Sequence, residues 1–267
     1  MLDAIRVSPG DGSRLGYRDP GDRLGMQDRE SAGAVLAENL DDLRVMQNRL
    51  WAENERSVLV VLQAMDAGGK DGTIRKVLSG VNPQGCRVVS FKVPCDHERD
   101  HDYLWRVHAA CPARGEIGIF NRSHYEDLVT TYVLGLVDGP TRERRYGHVR
   151  EFERMLSDEG TTIVKVFLHI SKDEQRERFR ARLDDPEKRW KFRIDDLATR
   201  ERWDDYQRAY EAAIDATSTE WAPWYVVPAD HKWVRDVAVS SLLVSALRDM
   251  DPRIPQPAED LDGVVVE

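Results

Sequence analysis

Hydrophobic positions along the chain change their spacing several times, and each change marks a predicted element. Between Ser31 and Arg56, apolar residues recur every three or four positions, which predicts an amphipathic helix. Directly after it, residues 57–63 form a short, continuous apolar run, which is typical of a strand buried on both faces of a parallel sheet. Near the other end, the segment from Asp230 to Met250 predicts a second amphipathic helix.

Further apolar runs have the length of strands and are separated by polar, helix-prone segments. This alternation is typical of βαβ units and predicts a parallel α/β fold. The long charged stretch at residues 172–219 is too polar for the core and predicts a helical excursion from the sheet. The further predicted strands are 86–93, 116–121, 162–170 and 224–228.

Both ends of the chain lack periodic patterns. Residues 1–30 carry scattered Gly, Pro and Asp, which predicts an irregular arm before the first helix. We therefore assign 1–56 to an N-terminal arm and amphipathic helix, and 57–250 to the main domain. Residues 251–267 contain three prolines and five acids, which predicts a loose tail.

Composition and charge narrow the possible functions. The chain has 39 Lys and Arg against 48 Asp and Glu, so no overall positive field attracts nucleic acid. Its three cysteines, Cys86, Cys95 and Cys111, are neither a disulfide framework nor spaced like a zinc site. No segment has the apolar character of a signal peptide or the length to span a bilayer. We expect a soluble, cytoplasmic protein without nucleic-acid or membrane partners.

A glycine-rich segment, residues 64–73, follows the first predicted strand directly. Against the P-loop pattern GxxxxGK[ST], it has Gly69 and Lys70 in place. Ala64 replaces the first glycine, and Asp71 replaces the final Ser or Thr. In such a turn, backbone N–H groups face one anion, while the dipole of the next helix and the lysine add positive charge. We predict a phosphate-binding loop, with an ordinary glycine turn as the alternative.

The departures from the P-loop pattern point to a magnesium ion. Asp71 removes the hydroxyl that usually ligates magnesium. Asp66 places a carboxylate inside the anion cradle, where it would repel phosphate unless a cation lay between them. A magnesium ion that bridges Asp66 and a phosphate oxygen explains both features, whereas the alternative is that Asp66 only caps the turn. A helix is expected from about residue 72, and the predicted phosphate contacts are Ala67, Gly68, Gly69, Asp71, Gly72 and Thr73.

Polar side chains also follow the strand predicted at 116–121. A P-loop fold needs an acid at the tip of a neighbouring strand to hold magnesium, and an arginine to neutralise developing charge. Here Asn121 ends the strand and Arg122 follows it at once. We predict that Arg122 contacts phosphate, with a surface arginine as the alternative. Glu126 and Asp127 come within one helical turn.

Five segments of the sequence resemble a family-2 polyphosphate kinase. They occur in the family's order and span about residues 22–249, so chance is not a serious explanation. The resemblance implies a P-loop kinase fold similar to thymidylate kinase, with a central parallel five-stranded sheet and a helical lid at about 172–219. It also implies exchange of phosphate between polyphosphate and nucleotides that depends on magnesium, with manganese as a substitute. The five segments are 63–74, 81–85, 120–127, 186–192 and 222–232.

Position 121 departs from the form that many family members have. Many members carry Asp where this chain has Asn121, and segment 121–127 resembles the branch that phosphorylates AMP as well as ADP. An amide oxygen is a weaker metal ligand than a carboxylate, so Glu126 or Asp127 would supply the charge. We expect His124, in the same segment, to be a packing or capping residue. The candidate catalytic residues are Asp66, Lys70 and Arg122, and the candidate metal ligands are Asp66, Asn121, Glu126 and Asp127.

The first half of the charged excursion is basic. Residues 172–193 carry nine Lys or Arg against six acids. Arg178 and Arg182 lie four positions apart on one helical face, as do Arg176 and Arg180. A linear polyanion needs a row of cations with little chemical discrimination, although for the second pair a solvated helix with internal salt bridges is an equal alternative. The predicted polyphosphate contacts, the first three implied by the family's lid, are Arg178, Arg182, Lys191 and Lys232.

Together these features predict a phosphotransferase. It would move a terminal phosphoryl group from inorganic polyphosphate to AMP, ADP or both, reversibly in principle. Its predicted partners are polyphosphate, adenine or guanine nucleotides, and further copies of itself in a dimer or tetramer. An ATP-dependent nucleoside monophosphate kinase is disfavoured by Ala64 and Asp71. A non-catalytic nucleotide-binding switch module is disfavoured because Asp66, Arg122 and a basic lid exceed what binding needs.

Overall fold

One mixed sheet organises the chain, which this computed structural model describes over residues 1–260, 264 and 266. The strands are β1 (Arg6–Val7), β2 (Ser57–Ala64), β3 (Cys86–Ser90), β4 (Ile117–Asn121), β5 (Thr161–His169) and β6 (Trp224–Pro228). Their order across the sheet is β1-β6-β5-β2-β4-β3. Strands β2 to β6 are parallel, and β1 pairs antiparallel with β6. The predicted α/β fold is confirmed.

Helices cover the sheet and supply the connections between the parallel strands. The helices that begin at Arg29 and at Lys232 pack against each other, and the second of them also packs against β5 and β6. The helices are α1 (Leu2–Ile5), α2 (Arg29–Glu53), α3 (Lys70–Val77), α4 (Asp96–Arg99), α5 (Trp105–His108), α6 (Thr130–Val133), α7 (Gly139–Asp158), α8 (Lys172–Asp184), α9 (Asp195–Glu201), α10 (Trp203–Thr217) and α11 (Lys232–Met250).

The central strand β2 is buried at every position, as its continuous apolar run predicts. Val60 lies between Ile119 of β4 and Val164 of β5, so three apolar strands stack their side chains in the core. Strand β3 ends at Ser90 rather than at the predicted residue 93. The reason is that its partner β4 ends opposite, at Asn121, so later residues have no strand to pair with.

The N-terminal arm is not irregular throughout, which corrects the prediction. Its first residues form α1 and β1, and Val7 pairs with Trp224 at the edge of β6. Ile5, Val7 and Leu15 are buried in the main core. The sheet therefore has six strands where five were predicted. A two-residue strand has no periodicity to detect, and its partner lies more than 200 residues away.

The predicted excursion at 172–219 is also corrected, because its last part belongs to the core. Helix α10 buries Trp203, Tyr206, Tyr210 and Ile214 on one face. Its acidic and basic residues occupy the other face, so the average polarity of the stretch concealed an amphipathic helix. Only the part up to about residue 202 lies outside the core.

The ends of the domains stay predictions. Residues 251–260 contain no helix or strand, and residues 261–263, 265 and 267 of the predicted loose tail lie outside the described residues. Among the described helices, none combines the length and the apolar character needed to cross a membrane.

The strand order places a binding crevice. From β2 the chain moves to β3 and β4 on one side of the sheet, and then to β5 and β6 on the other. In open α/β sheets, ligands bind beyond the carboxyl ends of the strands where the order reverses in this way. The segment that leaves β2 at this point is the glycine-rich loop.

Candidate functional site

A large open cavity of about 2430 Å³ lies beyond the carboxyl ends of β2 and β4. Its lining includes the glycine-rich loop, the segment after β4, helix α8 and the start of α11. Fifteen Lys and Arg residues line it against eight Asp and Glu, although the whole chain carries a net charge of −9. The cavity is therefore a local basic site suited to a polyanion.

The loop from Met65 to Gly69, which we call the phosphate loop, turns sharply between β2 and α3. Ala67 and Gly69 have left-handed backbone angles, with φ of 59° and 105°. A Cβ atom at Gly69 would also overlap the guanidinium of Arg235, so this position requires glycine. Helix α3 begins at Lys70, two residues earlier than expected, so the N–H groups of its first turn directly follow the loop.

Lys70 is held under the loop by the main chain. Its Nζ donates to the carbonyl of Ala64 at 3.1 Å, and the residue is 9% exposed. Burial, and next the charge of Arg122, lower the pKa of Lys70 from 10.5 to about 8. A desolvated ammonium of this kind interacts strongly with a phosphoryl group that enters the loop.

Asp66 and Arg122 face each other across the cavity floor. The Nη2 atom of Arg122 donates to Oδ1 of Asp66 at 2.7 Å, and Nη1 lies 3.4 Å from Oε2 of Glu126. Glu126 and then Asp66 raise the pKa of Arg122, against the opposing effect of burial. The structure thus brings the three candidate catalytic residues, Asp66, Lys70 and Arg122, into one site.

Asn121, which departs from the form common in the family, contacts Asp71, which departs from the P-loop pattern. Its Nδ2 donates to Oδ1 of Asp71 at 2.7 Å. An aspartate at position 121 would instead place two carboxylates together, which is unfavourable without a cation. The two departures therefore compensate each other across β4 and α3, and the sequence does not reveal this coupling.

The predicted lid residues reach the cavity in different ways. Arg178 is tied to the phosphate loop, because its Nη1 donates to the carbonyl of Ala67 at 3.0 Å. Arg182 lies 3.8 Å from Asp196 in a partly exposed ion pair, and Lys191 and Lys232 also line the cavity. Arg176 and Arg180, the other pair predicted on this helix, do not line the cavity. They form surface ion pairs with Asp173 and Glu177, which supports the alternative of a solvated helix.

Comparison with known sequences identifies the family. Residues 26–255 match the family Polyphosphate kinase 2 (PPK2). The chain belongs to this family. The resemblance inferred from the five segments is confirmed.

Relatives of this polyphosphate kinase 2 chain have names that describe phosphate transfer. It is 54% identical over 270 residues to the AMP/ADP-polyphosphate phosphotransferase of Meiothermus ruber, covering 100% of both chains. It is 45% identical over 242 residues to the ADP-polyphosphate phosphotransferase of Rhodopseudomonas palustris, covering 86% of this chain and 84% of the relative. The crystal structure of polyphosphate kinase 2 from Arthrobacter aurescens TC1 superposes with a TM-score of 0.93 at 44% identity, covering 97% and 92% of the two chains.

Kinases of the polyphosphate kinase 2 family generally need a divalent metal, and the site fits one that arrives with its substrate. The described residues hold no group of three or more His, Cys, Asp or Glu placed to bind a metal by themselves. Magnesium in kinases is usually held by one or two carboxylates together with substrate phosphates and water. Asp66, which lies in the phosphate loop at the cavity floor, is suited to this arrangement.

The other predicted metal ligands also line the cavity, but each has a protein partner. Glu126 accepts from Thr130 at 2.7 Å as well as contacting Arg122. Asp127 lies 3.8 Å from Arg106, and burial raises the pKa of its carboxyl group. Both carboxylates would have to exchange partners to bind a metal.

Two side chains of the predicted segments lie outside the cavity lining. Thr73 is 1% exposed, and its hydroxyl donates to the carbonyl of Gly69 at 3.2 Å within helix α3. Its contact with phosphate stays a prediction, which this position does not support. His124 is fully buried, which supports its interpretation as a packing or capping residue.

Sequence reasoning missed several cavity residues. Arg235 is 3% exposed and lies against Gly69, while its Nε and Nη2 donate to Asp236. A charged pair between Val234 and Val237 on a largely apolar helix was a signal for this role. Arg106 and Arg202 also line the cavity, but nothing in their local sequence separates them from surface arginines.

Proposed function

We propose that this protein transfers the terminal phosphoryl group of inorganic polyphosphate to AMP and to ADP, reversibly in principle. The observation that carries the proposal is the Asp66–Arg122 pair beside Lys70, at the floor of a basic cavity. The names of the similar Meiothermus and Rhodopseudomonas proteins support the choice of polyphosphate, AMP and ADP.

The proposed roles follow from charge and position. Lys70 and the N–H groups of the phosphate loop bind the phosphate oxygens nearest the transfer point. Arg122 neutralises the charge that develops on the transferring phosphoryl group, which in kinases is mainly stabilised by positioned cations. Arg178, Arg182, Lys191 and Lys232 hold the polyphosphate chain, which carries a negative charge on every unit.

A divalent metal completes the proposed charge balance. Mg²⁺, with Mn²⁺ as a substitute, would be held by Asp66 and substrate phosphate oxygens and would neutralise charge there. Asn121, Glu126 and Asp127 are further ligand candidates. Arg122 now contacts Asp66, so we expect the arginine to turn towards the phosphoryl group when the metal takes that carboxylate.

The nucleotide acceptor is proposed from position 121. Asn121 is uncharged and donates a hydrogen bond to Asp71, so no second negative charge lies beside Asp71 at position 121. We propose that AMP, which brings its own charge close to the phosphate loop, is therefore accepted directly as well as ADP. Guanine nucleotides are further candidates, since the described cavity shows no feature that excludes them.

One assay tests the function. Purified protein is incubated with Mg²⁺, either AMP or ADP, and either long-chain polyphosphate or ATP as donor, and nucleotide products are separated by chromatography. We expect ADP and ATP from AMP with polyphosphate, and ATP from ADP. Lys70→Ala, purified in parallel, measures contaminating kinases and adenylate kinase. Transfer to AMP only from ATP would establish the monophosphate kinase instead, and binding without turnover would establish a switch module.

Assembly and location are separate proposals. We propose a dimer or tetramer in the cytoplasm, where its nucleotide substrates are found. The mass of the protein in solution, measured by light scattering during gel filtration, tests the first of these. A mass equal to the 30.6 kDa chain would contradict it.

A further inference from the structure

Behind the segment that carries Arg122, four polar side chains form a cluster that the proposed chemistry does not use. We name it the buried quartet, and each member is at most 1% exposed. Buried charges lose their hydration, so an ion pair persists in a core only when its hydrogen bonds are well satisfied. The quartet consists of His124, Tyr125, Glu153 and Lys165.

Lys165 of β5 satisfies each of its three N–H donors. Its Nζ lies 2.6 Å from Oε2 of Glu153, 2.7 Å from the carbonyl of Thr217 and 3.0 Å from the Tyr125 hydroxyl. These contacts join β5, α7, α10 and the segment after β4. The ammonium is therefore a junction of four elements rather than an isolated charge.

Glu153 of α7 makes the matching contacts to the segment after β4. Its Oε1 accepts from the Tyr125 hydroxyl at 2.8 Å and from Nε2 of His124 at 3.2 Å. Burial opposes the ionisation of Glu153, but Lys165 and His124 outweigh it and hold its pKa below the ordinary value. Glu153, which is paired with Lys165, thus holds the consecutive residues His124 and Tyr125 against the core.

Arg122 lies just before these two residues and has a strained backbone. Its φ of +63° is in the left-handed region that non-glycine residues rarely adopt. Such a conformation persists only where the surroundings hold it. On one side, the N–H of Arg122 donates to the carbonyl of Leu62 at 3.1 Å. On the other side, the chain enters the quartet at His124, and Glu126 follows Tyr125 directly.

We propose that Glu153 and Lys165 act as positioning residues for Arg122. They hold segment 121–127 in place, so that the backbone of Arg122 is fixed and its guanidinium lies beside Asp66 before substrate binds. The role in catalysis rests on the proposed function, whereas the role in holding Arg122 does not. Apolar residues of similar size would fill the same space but would remove the contacts of the Tyr125 hydroxyl with Glu153 and Lys165.

A kinetic cycle tests whether the quartet acts through Arg122. Glu153→Gln is made in the wild type and in Arg122→Ala. In the wild type, we expect kcat to fall on the order of 100-fold with little change in either KM, since small misplacements of a catalytic group have this effect. In Arg122→Ala the further fall should be less than about threefold, because coupled residues are not additive. Equal falls in both backgrounds would overturn the proposal.

Removing one partner of a buried ion pair is destabilising, so a second variant removes both charges. Glu153→Met/Lys165→Met should fold and still show the loss in kcat. The matched control is Ser57→Ala/Thr161→Val, which breaks a buried 3.0 Å hydrogen bond between the amino ends of β2 and β5. It should lower the Tm and leave kcat unchanged. If the double methionine variant and the control had the same Tm and lost kcat equally, the buried quartet would have only a structural role.

Crystal structures of the wild type and of the double methionine variant separate this inference from the proposed function. We expect the contact between Arg122 and Asp66 to be lost in the variant. An unchanged Arg122 would overturn the inference, whatever the substrate is. A wild type that transfers no phosphate from polyphosphate would overturn the proposed function but not the holding of Arg122.

Discussion

The phosphate loop and helix α8 present cations to the same cavity but hold them differently. Lys70 lies beneath the loop at 9% exposure, bonded to a main-chain carbonyl and with a lowered pKa. The arginines of α8 differ in exposure, from 10% for the side chain of Arg178 to 24% for Arg182 and 64% for Arg180. A buried cation such as Lys70 interacts more strongly with a phosphate because little water surrounds it. The interactions of exposed arginines such as Arg182 are weakened by solvent and by salt.

This difference separates two tasks that one polyanionic substrate imposes. A fixed, desolvated cation can stabilise charge that develops at one point in the transition state. Exposed cations on a helix can attract a long chain in many registers, but each contributes little. Arg178 connects the two regions, since it lies on α8 and donates to the carbonyl of Ala67 in the loop. The following predictions test this division, from the largest effect to the smallest.

Lys70→Ala should cause the largest loss. We expect kcat to fall roughly 10³-fold, because a positioned donor to the transferring group is removed. The matched variant Lys70→Met should lose the same activity while gaining on the order of 3 kcal/mol in free energy of unfolding at pH 7. That order of magnitude follows from the pKa shift from 10.5 to about 8, at about 1.4 kcal/mol per unit. Chemical denaturation and steady-state rates measure both, and a methionine variant that is less stable would contradict the burial argument.

Gly69→Ala should distort the loop that holds Lys70. The added Cβ would overlap Arg235, and alanine is strained at a φ of +105°. We expect a loss of about 1–3 kcal/mol in stability and on the order of 100-fold in kcat. Gly147→Ala is the control, since it lies within α7 with no atom within 4 Å of the new Cβ, and it should be stabilising. Comparable losses in both variants would show that the loop geometry is not special.

Activity should also depend on the protonation of Lys70. Its pKa is lowered to about 8 in the free protein, so the ammonium is lost as the pH rises through that value. We expect kcat/KM for polyphosphate to fall about tenfold per pH unit above pH 8, because kcat/KM follows the free enzyme. Bound phosphate stabilises the ammonium, so kcat should hold to higher pH. Lys70→Arg keeps its charge and should show no such fall, and an identical fall in that variant would assign it to another group.

Replacement of an outer cation should have the smallest effect. Arg182→Ala should raise the KM for polyphosphate about fivefold and leave kcat and the nucleotide KM nearly unchanged, as expected for a screened, partly exposed charge. The increase of the donor KM with salt should be less steep than in the wild type. Arg180→Ala, which removes a surface ion pair with Glu177, is the control on the same helix. A large loss of kcat in Arg182→Ala would place this residue with the catalytic group.

The sequence by itself was sufficient to place the glycine-rich turn after β2 and to predict the five parallel strands. Residues 57–73 contain a continuous apolar run that leads into a glycine-rich turn, and both signals are local. Roles for Asp66 and Lys70 could be proposed because the chemistry of phosphate binding restricts which side chains such a turn can carry. The average polarity of residues 172–219 was misleading, because it predicted that the whole stretch lies outside the core. Helix α10 at its end has a buried face that includes Trp203 and Tyr206.

Only the tertiary structure decided which distant groups meet. It places Arg235 against Gly69, joins Asn121 to Asp71, and pairs β1 with a strand more than 200 residues away. It also buries the Glu153–Lys165 pair behind the segment of Arg122. These contacts depend on the order of strands across the sheet and on the packing of helices over it. The sequence around a residue does not show which distant partner the fold brings within hydrogen-bonding distance. The contacts that hold the site residues in place could therefore be seen only in the tertiary structure.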